Sequence, residues 1–218
     1  MTGSDPQAPA GPPARMPQDI ALVGAHVRIE PLGRQHAADL SAELGHDQDV
    51  WRWLVPPPGD TSGMADFIGA ALAERARGDR FPFAIVELAS ARAVGSSSYL
   101  DIAPKERRIE IGWTFYARRV WRSAVNTESK LLLLGHAFDD LGYERVALKT
   151  HHRNERSQAA IARLGAVREG VLRHHMVDRY GGWRDSVYYS VLSAEWPAVR
   201  AGLLAALDRG ESGATAKP

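Results

Sequence analysis

Apolar and polar residues alternate through much of the first half of the chain, and this alternation predicts β-strands. Val27 and Ile29 fall on one face of the segment 25–32, while charged residues fall on the other. Two helices are predicted next, over 36–45 and 64–77, separated by the breaker run Pro56-Pro57-Pro58-Gly59. A β-meander is then predicted, with strands over 81–88, 93–101 and 107–116.

Helical periodicity dominates the middle of the chain. A Leu-rich helix is predicted with Asn126 or Thr127 as N-cap, because either side chain can accept a backbone hydrogen bond in the first turn. Gly142 stands where helices commonly end. A strand over 145–150 and a second helix capped by Asn154 follow, so this region reads as a βαβα unit.

The last third of the sequence contains two further strand patterns and a final helix. The strands are predicted over 166–172 and 185–192, joined through Arg179-Tyr180-Gly181-Gly182, and the helix over 196–207. Gly165 is expected to end the helix that precedes them. No internal repeat and no long linker divides these elements, which indicates one domain over residues 20–208.

Both termini have a composition typical of disordered segments. Residues 1–19 are rich in Pro, Ala and Gly, and we expect this tail and the tail over 209–218 to be disordered. The N-terminal segment lacks the charged and apolar regions of a signal peptide, and no run of 18 apolar residues exists. The sequence therefore predicts a cytoplasmic protein with no membrane partner.

Composition excludes several classes of site. The chain has no cysteine, which excludes disulfides, thiolate nucleophiles and cysteine-ligated metals. With 27 basic and 26 acidic residues the net charge is +1, so a nucleic-acid partner is not expected. The pairs His151-His152 and His174-His175 predict no metal site, because neighbouring strand residues point to opposite faces.

A basic loop between a strand and a helix offers the clearest candidate binding site. It runs from Arg118 to Val125 and carries three arginines in front of the free N–H groups of a helix N-terminus. Such a terminus favours phosphate, because its backbone donors and the helix dipole both attract anions. An exposed basic turn explains the same residues equally well at this point.

Together, four motifs carry a family resemblance. They are Ile109-Glu110-Ile111-Gly112-Trp113, Val125-Asn126-Thr127-Glu128, Asn154-Glu155-Arg156-Ser157 and Arg163-Leu164-Gly165-Ala166. In order and spacing, the chain from 21 to 207 resembles the GNAT acyltransferases, most closely the branch with the Rim-type ribosomal-protein N-terminal acetyltransferases. The resemblance implies an α+β fold. Its sheet would be twisted, mixed and mostly antiparallel, flanked by helices, and splayed between the fourth and fifth strands to admit acetyl-CoA.

The resemblance also implies which residues bind acetyl-CoA, the acetyl donor. Backbone groups of Thr114 and Phe115 would bind the pantetheine arm, and Asn154 would contact it from the other side. The pyrophosphate would lie on the loop and helix start, formed by Arg119, Arg122, Ser123, Ala124, Val125, Asn126 and Thr127. Arg122 departs from the family pattern, because it replaces a glycine. A positive φ would strain this arginine, or its guanidinium would contact a phosphate.

Glu110 and Ser157 are the candidate catalytic residues. Glu110 lies on the strand expected beside the acetyl group and is the leading general base. The alternative is a solvated charge paired with Arg107 or Arg108. The resemblance suggests that Ser157 hydrogen-bonds the CoA sulfur; alternatively it only completes the Asn154 cap. Ile161 stands where many relatives have an acidic tyrosine, so that group is absent.

The acceptor site is the least determined part. Segments 48–77 and 173–184 are expected to set its specificity. The residues predicted to line it are Trp51, Trp53, Trp183 and one or both of His174 and His175, with core packing as the alternative for the aromatic residues. The implied activity is acetyl-CoA-dependent N-acetylation of a primary amine, either a small molecule or a protein N-terminus. Transfer of a larger acyl group such as succinyl, and an inactive CoA-binding module, remain open, and exposed strand edges are compatible with a homodimer.

Overall fold

The computed structural model describes residues 11–57 and 59–210. Within these ranges the chain forms eight strands and six α-helices. The strands are β1 (Leu22–Val23), β2 (Val27–Pro31), β3 (Arg80–Glu87), β4 (Arg92–Ala103), β5 (Arg108–Tyr116), β6 (Arg145–His151), β7 (Val167–Val177) and β8 (Trp183–Leu192). The helices are α1 (Ala37–Leu44), α2 (Gln48–Trp51), α3 (Thr61–Ala76), α4 (Ala124–Gly135), α5 (Glu155–Arg163) and α6 (Trp196–Asp208). None of these helices is both long and apolar enough to cross a membrane.

All eight strands belong to one mixed sheet. Their spatial order is β1-β2-β3-β4-β5-β6-β8-β7. Every neighbouring pair is antiparallel except β5 and β6, which are parallel and joined through α4. The predicted α+β fold with a mostly antiparallel mixed sheet is confirmed, and so is the βαβα unit. The two-residue strand β1 and the short helix α2 were not predicted.

The sheet splays at its single parallel junction. β5 and β6 pair from Arg108 opposite Arg145 to Glu110 opposite Ala147, and in the described structure their paired register stops there. The remaining part of β5 stays paired with β4 only. Because the short strand β1 was not predicted, β5 and β6 correspond to the fourth and fifth predicted strands, over 107–116 and 145–150. The splay therefore lies where it was predicted.

Helices cover both faces of the sheet and bury its apolar side chains. On one face, Phe115 of β5 packs against Trp51 and Phe67, with ring centroids 4.9 and 6.0 Å away. On the other face, Tyr99 of β4 donates a 2.6 Å hydrogen bond to the carbonyl of Leu133 in α4. The buried phenol therefore ties the central strands to the helix that follows the splay.

Glu128 of α4 fastens the first strands to this helix. Its carboxylate is 4% exposed and accepts hydrogen bonds from the backbone N–H groups of Ala25, His26 and Val27, at 2.7–2.8 Å. Gly24 permits this approach, because a Cβ there would overlap the carboxylate. One side chain thus satisfies three backbone donors in the β1–β2 turn and at the start of β2.

The helix boundaries differ from expectation at α4. Its N-cap is Ser123, which has an extended backbone and whose hydroxyl oxygen accepts the N–H of Val125, so the predicted cap at Asn126 or Thr127 is wrong. The α-helix also ends earlier than expected and passes into a π-helical turn over His136–Asp140 before Gly142, whose φ is +78°. The predicted cap at Asn154 is confirmed by its 3.1 Å bond from the Ser157 N–H.

Part of the predicted N-terminal tail contacts the domain. The N–H of Ala14 donates to the carbonyl of Pro104, and the N–H of Arg15 donates to that of Leu141, at 3.0 and 2.8 Å. Ala14 is buried among core residues. The structure describes residues 11–19 of the predicted N-terminal tail and residues 209 and 210 of the C-terminal tail. Residues 1–10 and 211–218 lie outside the described residues.

The role of Glu128 predicts a large loss of stability on a nearly isosteric change. In Glu128→Gln an amide NH₂ would face backbone donors, leaving at least one buried N–H unsatisfied. We expect a cost of about 2–3 kcal/mol, seen as a thermal midpoint lowered by roughly 5–10 °C. Glu106→Gln, at an exposed glutamate, is the matched control. Equal midpoints for the two variants would show that Glu128 does not hold the N-terminal strands.

Candidate active site

The diverging strands border an open cavity of about 1690 Å³. β5 and β6 form two of its sides, and the first turns of α4 and α5 close one end. Segment 52–55 and the tip of the β7–β8 hairpin also border the cavity. Arg179 in that hairpin donates a 2.7 Å hydrogen bond to the carbonyl of Trp51, which holds the two segments together. Both segments expected to set specificity therefore reach the cavity.

A β-bulge shapes the β5 side of the cavity. Ser96 pairs with Phe115 and Ser98 with Gly112, so Trp113 and Thr114 lie opposite the single residue Ser97. Trp113 has a φ of +48°, and the Thr114 and Ser97 hydroxyl oxygens are 2.8 Å apart. Thr114 and Phe115, the predicted pantetheine residues, both line the cavity on the stretch of β5 that has no β6 partner.

The basic loop is only partly directed at the cavity. Arg118 forms ion pairs with Asp47 and Asp49, and Arg119 bonds Glu43 and Glu87 at 2.8 and 2.6 Å. These carboxylates raise the pKa of both arginines and hold their guanidinium groups away from the cavity wall. In this structure these two side chains are therefore paired with carboxylates and do not line the cavity, whereas three arginines were expected at a phosphate.

Arg122 is the loop arginine that lines the cavity. Its φ is +61°, a left-handed conformation that costs a non-glycine residue roughly 1–2 kcal/mol. The strain foreseen for an arginine in this position is therefore present, and its guanidinium is exposed at the cavity. Asn126 and Thr127 line the same end, whereas Ser123, Ala124 and Val125 contribute no cavity wall.

Arg156 adds a second cation to this end, which the sequence analysis missed. It lies in the first turn of α5 and lines the cavity, with its guanidinium carbon 3.7 Å from the centre of the Trp121 ring. The pair joins the loop before α4 to the start of α5. Two arginines, Arg122 and Arg156, and two helix N-termini thus converge where an extended anion could bind.

Glu110 lies at the apex of the opening, at the last paired residue of β5. Its side chain is 3% exposed and one carboxylate oxygen receives a 2.9 Å hydrogen bond from Lys149 of β6. The other oxygen, Oε1, is buried without a hydrogen-bond partner among the described residues. Burial raises the pKa of Glu110, and the Lys149 ammonium partly opposes this shift.

The solvated alternative for Glu110 is excluded by these contacts. Arg107 pairs with Glu144 and Arg108 with Asp101, so neither arginine is available to Glu110. A buried carboxylate with one free oxygen and a raised pKa is a candidate general base. The partly exposed ammonium of Lys149 limits the rise of this pKa.

Asn154 and Ser157 face Glu110's strand from the start of α5. Both line the cavity, and the Asn154 side chain caps the helix by accepting the Ser157 N–H. The capping arrangement weighed in the sequence analysis is therefore present, together with a place in the wall. Ile161, one turn further along, is buried and also borders the cavity.

The structure separates the predicted acceptor residues into two groups. Trp53 lines the cavity and packs against the ring of His151, which was not predicted as a site residue; the ring centroids are 4.6 Å apart. Trp51 is 2% exposed and donates to the carbonyl of Leu44, so core packing is its role. The remaining three, His174, His175 and Trp183, lie outside the cavity wall, with His174 stacked on Trp183 at 5.2 Å.

His151 is held in its neutral form. Its Nδ1 accepts a 3.0 Å hydrogen bond from the N–H of Arg153. Burial, followed by the charge of His152, lowers the pKa of His151 to about 4. A neutral ring whose Nδ1 is an acceptor carries its proton on Nε2, so His151 can only donate from that atom.

Within the described ranges, no three His, Asp or Glu side chains are grouped so as to hold a metal ion.

A buried lysine is the strongest feature that sequence reasoning missed. Lys130 of α4 is 5% exposed, borders the cavity, and donates to the hydroxyls of Thr114 and Ser97 at 3.0 and 3.4 Å. Burial lowers the pKa of Lys130 to about 7. One signal was available: Lys130 directly precedes four leucines, and the chain has only four lysines.

Comparison with known proteins identifies the class. The sequence model of the acetyltransferase (GNAT) domain matches residues 26–167. YoaA of Bacillus subtilis (strain 168), named as an N-acetyltransferase, is 29% identical over 126 residues, which are 58% of this chain and 70% of YoaA. A GCN5-related N-acetyltransferase from Brucella melitensis is 32% identical, with a TM-score of 0.84 over 91% of this chain and 90% of that one.

The fold is also that of RimJ from Mycobacterium smegmatis, solved with CoA-disulfide. That chain is 22% identical, and the two superpose with a TM-score of 0.71 over 85% of this chain and 90% of RimJ. The protein therefore belongs to the GNAT acetyltransferase family, as its motifs indicated, and it is an N-acetyltransferase of this family. Enzymes of the family use acetyl-CoA.

The buried Lys130 predicts a stability that depends on pH. Its pKa is near 7 in the folded state and about 10.5 in the unfolded chain, so the unfolded state binds more protons between these values. Stability of the wild type should rise with pH across that window. Lys130→Met should raise the thermal midpoint by roughly 5 °C or more at pH 7, and the gain should shrink toward pH 10.

Lys105→Met, at an exposed lysine, provides the control and should show no such trend. Circular dichroism melts of the three proteins from pH 6 to pH 10 make the comparison. A Lys130→Met protein that is less stable than the wild type at pH 7 would contradict a pKa of Lys130 that burial has lowered.

Proposed function

We propose that the protein transfers an acetyl group from acetyl-CoA to a primary amine by direct attack of the amine on the thioester. The observation that carries this proposal is the free, buried Oε1 of Glu110 at the apex of the β5–β6 opening. A general base must lie within hydrogen-bond reach of the proton it removes. Glu110 offers an acceptor atom without a partner at the apex of the opening between β5 and β6.

The donor would extend along the diverging strands. Unpaired backbone groups of β5 at Thr114 and Phe115 would bind the pantetheine amides, in place of the hydrogen bonds that β6 does not make. Asn154 would contact the arm from α5. The pyrophosphate would lie between Arg122 and Arg156 at the α4 N-terminus, where charge-assisted hydrogen bonds and helix N–H groups both favour phosphate.

The chemistry follows from the protonation states of these groups. An alkyl amine is mostly protonated at neutral pH, so it must lose a proton before it can attack. Glu110 takes that proton, and burial makes its carboxylate a stronger base than an exposed glutamate. The amine nitrogen then bonds to the carbonyl carbon, the carbon–sulfur bond breaks, and CoA leaves as a thiolate that takes up a proton. Ser157 lies in the wall where it can donate a hydrogen bond to that sulfur.

Glu110→Gln tests the proposal, because it removes the base and leaves the shape of the site. We expect kcat/KM for acetyl transfer to fall by about 100-fold or more, measured as CoA thiol release. The variant should still bind the donor, so saturating acetyl-CoA should still raise its thermal midpoint. At 100 times the Kd, acetyl-CoA should stabilise the folded protein by about 2.7 kcal/mol. ATP and NADH should not raise the midpoint.

Glu106→Gln should behave as the wild type in both measurements. A Glu110→Gln protein with full activity would show that Glu110 is not the base. Absence of a thermal shift with acetyl-CoA in the wild type would contradict the proposed donor site itself.

A pair of Arg122 variants separates backbone strain from phosphate binding. Arg122→Gly relieves the positive φ, so it should stabilise the free protein by about 1 kcal/mol, whereas Arg122→Ala retains the strain. Both remove the guanidinium and should weaken acetyl-CoA binding by about 5- to 20-fold, measured by calorimetry. Unchanged affinity in both variants would show that Arg122 does not contact a phosphate.

A further inference from the structure

Arg184 of β8 is a cation without a counter-ion. It lines the cavity, its side chain is largely covered, and Nε is buried with no hydrogen-bond partner among the described residues. No ion pair to Arg184 is formed within the described part of the chain. Burial lowers the pKa of Arg184, and the charge of Glu110 opposes this. A guanidinium cannot lose its proton in a protein, so its buried donors need an acceptor.

The groups around Arg184 leave the acceptor end positively charged. Lys149 and Glu110 compensate one another in a 2.9 Å pair. Burial lowers the pKa of His151 and of His175, so both rings are neutral near pH 7. Asp101 of the cavity wall is committed to Arg108. None of these groups therefore neutralises the positive charge of Arg184.

Asp178, at the hairpin tip, is another acid of the cavity wall. Its Oδ1 accepts the backbone N–H groups of Tyr180 and Gly182 at 2.8 and 2.9 Å, and these bonds lower its pKa. It thus shapes the hairpin rather than pairing with Arg184. The buried atoms without a hydrogen-bond partner on residues of this cavity include an acceptor, Oε1 of Glu110, and a charged donor, Nε of Arg184.

We propose that Arg184 forms a carboxylate-binding subsite, so that the acceptor is an amine that also bears a carboxylate, of which the α-amino acids are the simplest. This inference rests on the proposed function and names its acceptor class. The amine would lie at Oε1 of Glu110 and the carboxylate at Arg184. Planar guanidinium and carboxylate groups match one another in two parallel hydrogen bonds.

The phosphates of the donor are an unsuitable partner for this arginine. They would bind at the other end of the cavity, at the α4 N-terminus with Arg122 and Arg156. A carboxylate near Glu110 has only two sources, the acceptor amine or a dicarboxylic acyl group such as succinyl. The free Oε1 beside the subsite is the place of the attacking amine, which favours the acceptor.

Matched amines test the subsite directly. The wild type is assayed by thiol release with acetyl-CoA and each L-amino acid, beside the amine that lacks its carboxylate, such as L-phenylalanine with 2-phenylethylamine. We expect the carboxylated member of at least one pair to have the higher kcat/KM, by about 10- to 100-fold. Arg184→Gln should abolish that preference, chiefly by raising KM for the carboxylated member of the pair.

Two controls make the outcome specific. Arg173→Gln removes an exposed arginine of β7 outside the cavity wall and should keep the preference. Arg184→Gln should keep the thermal shift with acetyl-CoA, which shows that the variant is folded and that the donor site is intact. Loss of this shift in the wild type contradicts the proposed function, whereas loss of the preference alone does not.

The remaining outcomes overturn the subsite proposal. Decarboxylated amines used as well as amino acids, or no turnover of any carboxylated amine by a wild type that binds acetyl-CoA, would refute it. A second arm compares succinyl-CoA with acetyl-CoA. A preference for succinyl-CoA that Arg184→Gln removes would assign the carboxylate to the donor, and this would overturn its assignment to the acceptor.

Discussion

The early end of the β5–β6 pairing is the constraint on which the rest of the molecule depends. Two parallel strands that pair over only three residues must leave backbone donors and acceptors open beyond Glu110. Unpaired strand groups in a buried setting are costly unless a ligand or water satisfies them. The opening is therefore both a structural liability and the place where an extended chain with amide groups can bind.

Several features hold that opening in shape. A bulge at Trp113 and Thr114 interrupts β5 beyond its last pair with β6. Helix α4 is anchored to β2 through Glu128 and to β4 through Tyr99. The β7–β8 hairpin is tied across the cavity by Arg179. Rigid surroundings of this kind let a cavity retain charged groups that are incompletely paired.

The arginines differ in whether an acidic side chain neutralises them. Arginines with nearby acids, such as Arg118 and Arg119, are neutralised on the surface. Arg122 and Arg184, two of the arginines that line the cavity, form no ion pair with the described residues. Lys130 avoids the same cost by a lowered pKa, which an arginine cannot do.

Local sequence patterns predicted the elements well and the site only in part. The alternation around Ile29, the glycine after α4 and the Asn154 cap each depend on neighbouring residues, so they could be read from the chain. The Glu110–Lys149 pair and the position of Arg184 depend on register between strands that are distant in sequence. Trp51 and His174 were misplaced for the same reason, because strand or helix position does not reveal which tryptophan or histidine a fold turns inward.

A crystal structure of the protein with CoA tests the central claim most directly. The account predicts the pantetheine arm between β5 at Thr114–Phe115 and Asn154 of α5. The pyrophosphate should lie between Arg122 and Arg156, and the sulfur beside Ser157 on the side of the cavity that holds Glu110. CoA bound elsewhere, with the gap between β5 and β6 unoccupied, would contradict the account.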